Sequence, residues 1–172
     1  SLQLVALKSL GQLQDQEALP AVREFLDAVD PRLRRTAALT LGALGDERAI
    51  SDLLEIARSD ESPLVRPAAV EALGMVGDED VLDQLLPFVD DSNAYLRAAL
   101  AHALSSLDGD TAEVRSALET LSDDKVRHVS IAAQRALANC TALPEDSDPE
   151  DESCPEPDKK HLSWLRRFLG RD

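Results

Sequence analysis

Apolar residues recur at three- and four-residue steps along the first 139 residues, the spacing of amphipathic helices rather than strands. Leu4, Leu7, Leu10 and Leu13 lie on one stripe and predict a helix over 2–13. Leu19, Val22, Phe25 and Leu26 predict the next over about 17–28, with Pro20 confined to its first turn. Asp30-Pro31 opens a helix that runs to about Leu44, since Asp caps an N-terminus and Pro favours the first helical position. Ser62-Pro63, Ser92-Asn93 and Asp123-Asp124 give the same kind of start signal further along. Between these lie shorter helices over about 47–58, 79–89 and 110–121, the second of them ended or bent by Pro87. Gly45 and Gly77 fall just past helix ends, where a left-handed residue is favoured.

The pattern repeats. Val65–Asp78 reads V-R-P-A-A-V-E-A-L-G-M-V-G-D, and Leu33–Asp46, 32 residues earlier, reads L-R-R-T-A-A-L-T-L-G-A-L-G-D. Leu96–Leu107 is a third copy that keeps Arg97 and Leu104 and loses both glycines. Val129–Leu137 is a fourth, with Ser130 in the Arg position, and Leu10-Gly11 matches Leu41-Gly42 near the start. A period near 31–32 residues predicts an array in which each unit buries its apolar face only against its neighbours. The expected fold is all-α: a solenoid of about four helical pairs plus a half repeat.

Composition divides the rest. Aromatics are only 3 % of the chain, which suits thin helices packed through Ala and Leu. The net charge of −15 is uneven: −11 over residues 1–139, −8 over 140–158 and +4 over 159–172. Residues 140–158 hold four prolines and eight acids, so they read as an extended, self-repelling linker. Residues 159–172 read as a basic amphipathic helix, with Trp164, Leu165, Phe168 and Leu169 as apolar anchors. Fourteen residues make a marginal helix in water, so this tail is expected to be helical only when docked. The docks open to it are the chain's own solenoid, another copy, an outside protein or, less readily, an anionic membrane surface. An acidic body disfavours nucleic acid as a partner. The chain opens at Ser1 in mid-pattern, which suggests trimming from a longer sequence.

The unit V-R-x-x-A-x-x-A-L-G-x-x-G-D, preceded by a shorter amphipathic helix, resembles HEAT repeats, most of all the PBS-lyase HEAT-like subclass. The resemblance implies a right-handed α-α superhelix over residues 1–139. It also implies a non-catalytic scaffold that binds a partner protein, with a subunit of a bilin chromophore lyase as the alternative. It further implies that Arg34, Arg66 and Arg97 form a structural ladder paired with acids in the turns, broken at Ser130, where the last unit is expected to dock differently.

Candidate chemistry is sparse. His102, His128 and His161 are followed by Ala, Val and Leu, so the His-Glu pairs of the di-iron branch of the resembled family are missing. Cys140, Cys154 and His161 match no compact zinc spacing. Neither a nucleophile elbow nor a phosphate loop occurs. The expectation is therefore no enzyme activity, no cofactor and no metal. Two cysteines and no long apolar run point to a reducing cytoplasm. If the second helix of each unit lines the concave side, as the resemblance implies, register places Lys8, Leu39, Glu71, His102 and Arg135 in one exposed column. Arg35 lies one turn earlier, Met75 one turn later, and Tyr95 begins its helix. This groove is the candidate protein-binding surface.

Overall fold

The computed structural model describes residues 2–77, 79–107 and 111–140. They fall within one compact unit spanning Ser1–Ala142. Residues 141–172, including Trp164, Leu165, Phe168 and Leu169, lie outside the described residues.

Among the described residues the structure is helices and connections, without strands. The second helices of the units are α1 (Leu2–Leu13), α3 (Pro31–Leu44), α5 (Val65–Val76), α7 (Ala94–Ser106) and α9 (Arg127–Cys140). The first helices are α2 (Leu19–Glu24), α4 (Ile50–Ser59), α6 (Glu79–Leu85) and α8 (Ala112–Ser122). Short 3-10 turns at Gln16–Ala18, Phe25–Asp27, Glu47–Ala49 and Leu86–Asp90 take up residues that the periodicity assigns to the first helices. Pro87 sits in the last of these, where its missing N–H and its ring stop α6 at Leu85.

Two of the predicted start signals act as side-chain caps, while α5 starts at Val65 without one. Asp30 accepts from the Arg32 N–H at 2.9 Å, with Pro31 next to it, and Asn93 accepts from the Tyr95 N–H at 3.0 Å. Gly45 ends α3 in the left-handed region at φ 67°. Gly77 does not follow that expectation: its φ is −77°, and its requirement is space. A Cβ there would stand 2.7 Å from the Leu73 carbonyl oxygen.

The second helices form one continuous layer, α1 on α3, α3 on α5, α5 on α7 and α7 on α9. The first helices lie over them, and the main contact between successive ones is α8 with the turn at Leu86–Asp90. The difference has a cause in the sequence. Gly42 and Gly74 let neighbouring second helices meet almost backbone to backbone: a Cβ on Gly42 would fall 2.7 Å from the Ala72 Cα, and one on Gly74 2.6 Å from the Ala103 Cα. An array whose one layer is drawn together while the other is splayed curves toward the tight layer. The second helices therefore form the inner face and the first helices the outer one.

Leu41, Leu73 and Leu104, the leucines in register beside these glycine positions, are at most 1 % exposed and centre the core. Leu7 completes the buried stripe of α1, but Leu13, expected on it, is 74 % exposed. Ser130 does not alter the docking of the last unit. α9 packs on α7 and α8 as earlier second helices pack on theirs, and the Ser130 hydroxyl turns back to donate to the Arg127 carbonyl at 3.1 Å.

Candidate functional site

Three arginines repeat at the same helical position, and each pairs with an aspartate and donates to a backbone carbonyl. The Arg34 guanidinium donates to Asp60 at 2.8 and 3.0 Å and to the Ala28 carbonyl at 2.9 Å. Arg66 pairs with Asp91 and donates to the Ala57 carbonyl at 2.9 Å. Arg97 donates to Asp124 at 2.6 and 3.1 Å and to the Asp91 carbonyl at 2.6 Å. Each pair ties one unit to the turn of the next. Each aspartate also caps that turn, accepting from the N–H of Ser62, Asn93 or Val126. These side chains are mostly buried and fully engaged, so the ladder joins units and leaves nothing for a ligand.

The ladder sets a pH dependence. For Asp60 and Asp91, burial opposes the charge, but the arginine and the capping N–H outweigh it and hold each carboxyl below the usual range. The Arg97 hydrogen bond is the main cause for Asp124, lowered likewise. A carboxylate held low in the folded state stabilises it above the unfolded value, near 4, and that stability is lost as pH falls further. Denaturation midpoints are thus expected to drop between pH 5 and pH 2 (roughly the carboxylate range). Arg66→Ala costs about 1–3 kcal/mol, because it leaves Asp91 and the Ala57 carbonyl short of a partner. It also flattens the acid dependence, since Asp91 loses its cation. Arg35→Ala, on an exposed position, stays within about 0.5 kcal/mol of the parent. An Arg66 variant that unfolds like the parent but loses partner binding would contradict this structural role.

The remaining predicted residues collect on the inner face. Arg35, Glu71, His102 and Arg135 are exposed, Met75 is 51 % and Tyr95 64 % exposed, and Leu39 is half-buried. Sequence reasoning named Tyr95 but missed the rest of its column. Arg32, Leu64, Tyr95 and His128 occupy one register position at the helix starts, and the Tyr95 and His128 rings stack at 5.2 Å across α7 and α9. The signal was present in the repeat alignment, one residue before Leu33, Val65, Leu96 and Val129.

The charges sort by layer, which overall composition conceals. The five inner helices carry eight bases (Lys8, Arg32, Arg34, Arg35, Arg66, Arg97, Arg127 and Arg135) against one acid, Glu71. The four outer helices carry three bases against eight acids. With the ladder arginines matched by turn aspartates, Lys8, Arg32, Arg35, Arg127 and Arg135 remain without an ion pair among the described residues. The sequence-based expectation that residues 159–172 dock in the groove drew on an acidic body. The groove layer itself is basic, so the +4 of those residues has the wrong sign for it.

A cavity of about 980 Å³ forms an open groove on the other side, between α2 and α4. Its lining includes the acids Glu24, Asp27, Glu55 and Glu61, with Asp52 and Asp60 already paired with Arg23 and Arg34. Among the described residues no group of three His, Cys, Asp or Glu side chains is placed to hold a metal ion. No described helix is long and apolar enough to cross a membrane.

Comparison with known proteins agrees with this architecture. The HEAT-repeat family profile matches residues 1–74 and 50–138. The chain belongs to the HEAT-repeat family. Among solved structures it is similar to a chain from the complex of CpcE and CpcF of phycocyanin lyase from Nostoc sp. PCC7120. That match has a TM-score of 0.68 and 26 % identity, and covers 77 % of this chain and 87 % of the other. This likeness agrees with the resemblance of the repeat unit to the PBS-lyase HEAT-like subclass. No curated protein matches it.

Proposed function

We propose that this HEAT-repeat protein is a non-catalytic interaction module that holds a partner polypeptide against its inner face. The observation that carries the reading is the exposure of Leu64, Met75, Tyr95 and Ile131, at several register positions along one continuous helical layer and set among unpaired bases. Large apolar side chains exposed together on one layer mark an interaction surface. The proposed contact residues are Arg35, Leu39, Glu71, Met75, Tyr95, His102 and Arg135. Photo-crosslinking tests it: a photoreactive side chain at Leu39 or Met75 should yield polypeptide adducts in cells, and one at Ser51 or Glu55 on α4 should not. Adducts only from α4 would contradict the reading.

A second reading rests on the likeness to the CpcE and CpcF complex. On it, this chain is one subunit of a bilin lyase and works only beside a second subunit. Pigment bound by the pair but by neither chain alone would support this; a chain that binds its partner with no pigment in either would oppose it. In both readings the protein works in the cytoplasm, and residues 159–172 serve as a separate docking element through Trp164, Leu165, Phe168 and Leu169. Trp164, the single tryptophan, reports that docking: its emission shifts blue on engagement and returns red with Leu165→Asp. Emission unchanged by the partner would remove the tail from the account.

A further inference from the structure

We infer that the inner face selects an acidic, apolar-bearing segment of a separate polypeptide. The inference rests on the proposed binding role of that face and adds the chemistry of what it binds.

Charge complementarity carries the argument. Eight bases and one acid lie on the inner helices of a chain whose net charge is −15, while the adjoining layer has three bases and eight acids. Lys8, Arg32, Arg35, Arg127 and Arg135 have no counter-ion among the described residues. They are spread over α1, α3 and α9, at both ends of the layer. The centre is apolar and nearly uncharged: Leu64, Met75 and Tyr95 are each more than half exposed, with Glu71 the one charge apart from the ladder. An occupant that matches has acids toward its ends and apolar side chains between. The basic ends steer it and fix its register, while the apolar centre supplies affinity.

The chain's own segments fit poorly. Residues 144–158 bring eight acids but no Val, Leu, Ile, Met, Phe, Tyr or Trp for the centre. Residues 159–172 bring apolar anchors with the wrong charge. Duplex DNA offers phosphates but no apolar side chains for the centre.

The test is fluorescence anisotropy on the full chain. The probe is a labelled peptide with a leucine-rich centre and glutamates at both ends. Its controls are the same peptide with lysines for glutamates, and duplex DNA of similar length. The glutamate peptide should bind, and weaken about tenfold between low and high salt. Arg35→Glu with Arg135→Glu should weaken it about tenfold, and Arg35→Gln with Arg135→Gln by less. Glu71→Gln should tighten it. Thermal melting of each variant guards against loss of fold. Equal binding of the lysine peptide, tighter binding of DNA, or an unchanged affinity in both double variants overturns the inference. Binding that appears only after the acids at 145–158 are replaced by Asn and Gln assigns the face to the chain's own segment instead, and also overturns it. A neutral or basic polypeptide crosslinked at Met75 would leave the general binding role standing while this inference falls.

Discussion

Leu73→Ala is expected to lower the unfolding free energy by about 2–5 kcal/mol. Leu73 is 0 % exposed at the centre of α5, the helix with neighbours of its own layer on both sides. Removing its isopropyl group loses the transfer free energy and leaves a cavity that α3, α4 and α7 close only in part. Coupling between units adds to the loss, because a repeat array is stable chiefly through its nearest-neighbour interfaces. Urea denaturation measures it, with an unchanged slope indicating that the same surface is still buried. Met75→Ala, two residues along and half exposed, is the internal comparison and should move stability by no more than about 0.5 kcal/mol. A loss under about 1 kcal/mol for Leu73→Ala would mean that the buried face of α5 is misassigned.

Gly74→Val is expected to cost about 3 kcal/mol, for the opposite reason. The first atom added would stand 2.6 Å from the Ala103 Cα and 2.8 Å from its Cβ. Both are fixed atoms of a packed helix, so α5 and α7 must separate along their contact. Gly74→Ala should show a smaller loss of the same kind. Gly11→Ala is the contrast: its new Cβ would meet Thr40 and Ala43 at 3.4 Å or more, ordinary contact. Higher helix propensity should make that change neutral or mildly stabilising. Parallel denaturation of the three variants separates close packing from a general intolerance of glycine replacement. Equal effects at Gly11 and Gly74 would argue that the tight inner layer does not set the fold.

The architecture was legible because it is local and repeated. Asp30-Pro31 caps, Leu-Gly pairs and alternating long and short helices each point to the same unit, and in-register recurrence sums their signals. Details that depend on tertiary space were not. Gly77 follows a helix as Gly45 does, yet only Gly45 is left-handed, at φ 67° against −77°. Leu13 continues the apolar stripe of α1 but is exposed. The site was half legible: Arg35, Leu39, Met75 and Tyr95 fall on the inner layer by register. Its sign was hidden, because a chain total of −15 averages two layers of opposite character. Charges must be counted by helix before an acidic total is taken to describe any one face.

The most direct test of the central claim compares two variants of equal charge. Arg35→Glu with Arg135→Glu reverses two bases on the inner layer, and Arg23→Glu with Arg58→Glu reverses two on α2 and α4. The measured quantity is the yield of polypeptide adduct from a photoreactive side chain at Met75 in each background. The inner reversal should remove most of the adduct, and the outer reversal should leave it within about twofold of the parent. Equal loss in both, or loss from the outer pair alone, would mean that the partner responds to total charge or to the other layer, and that the inner face is not what it reads.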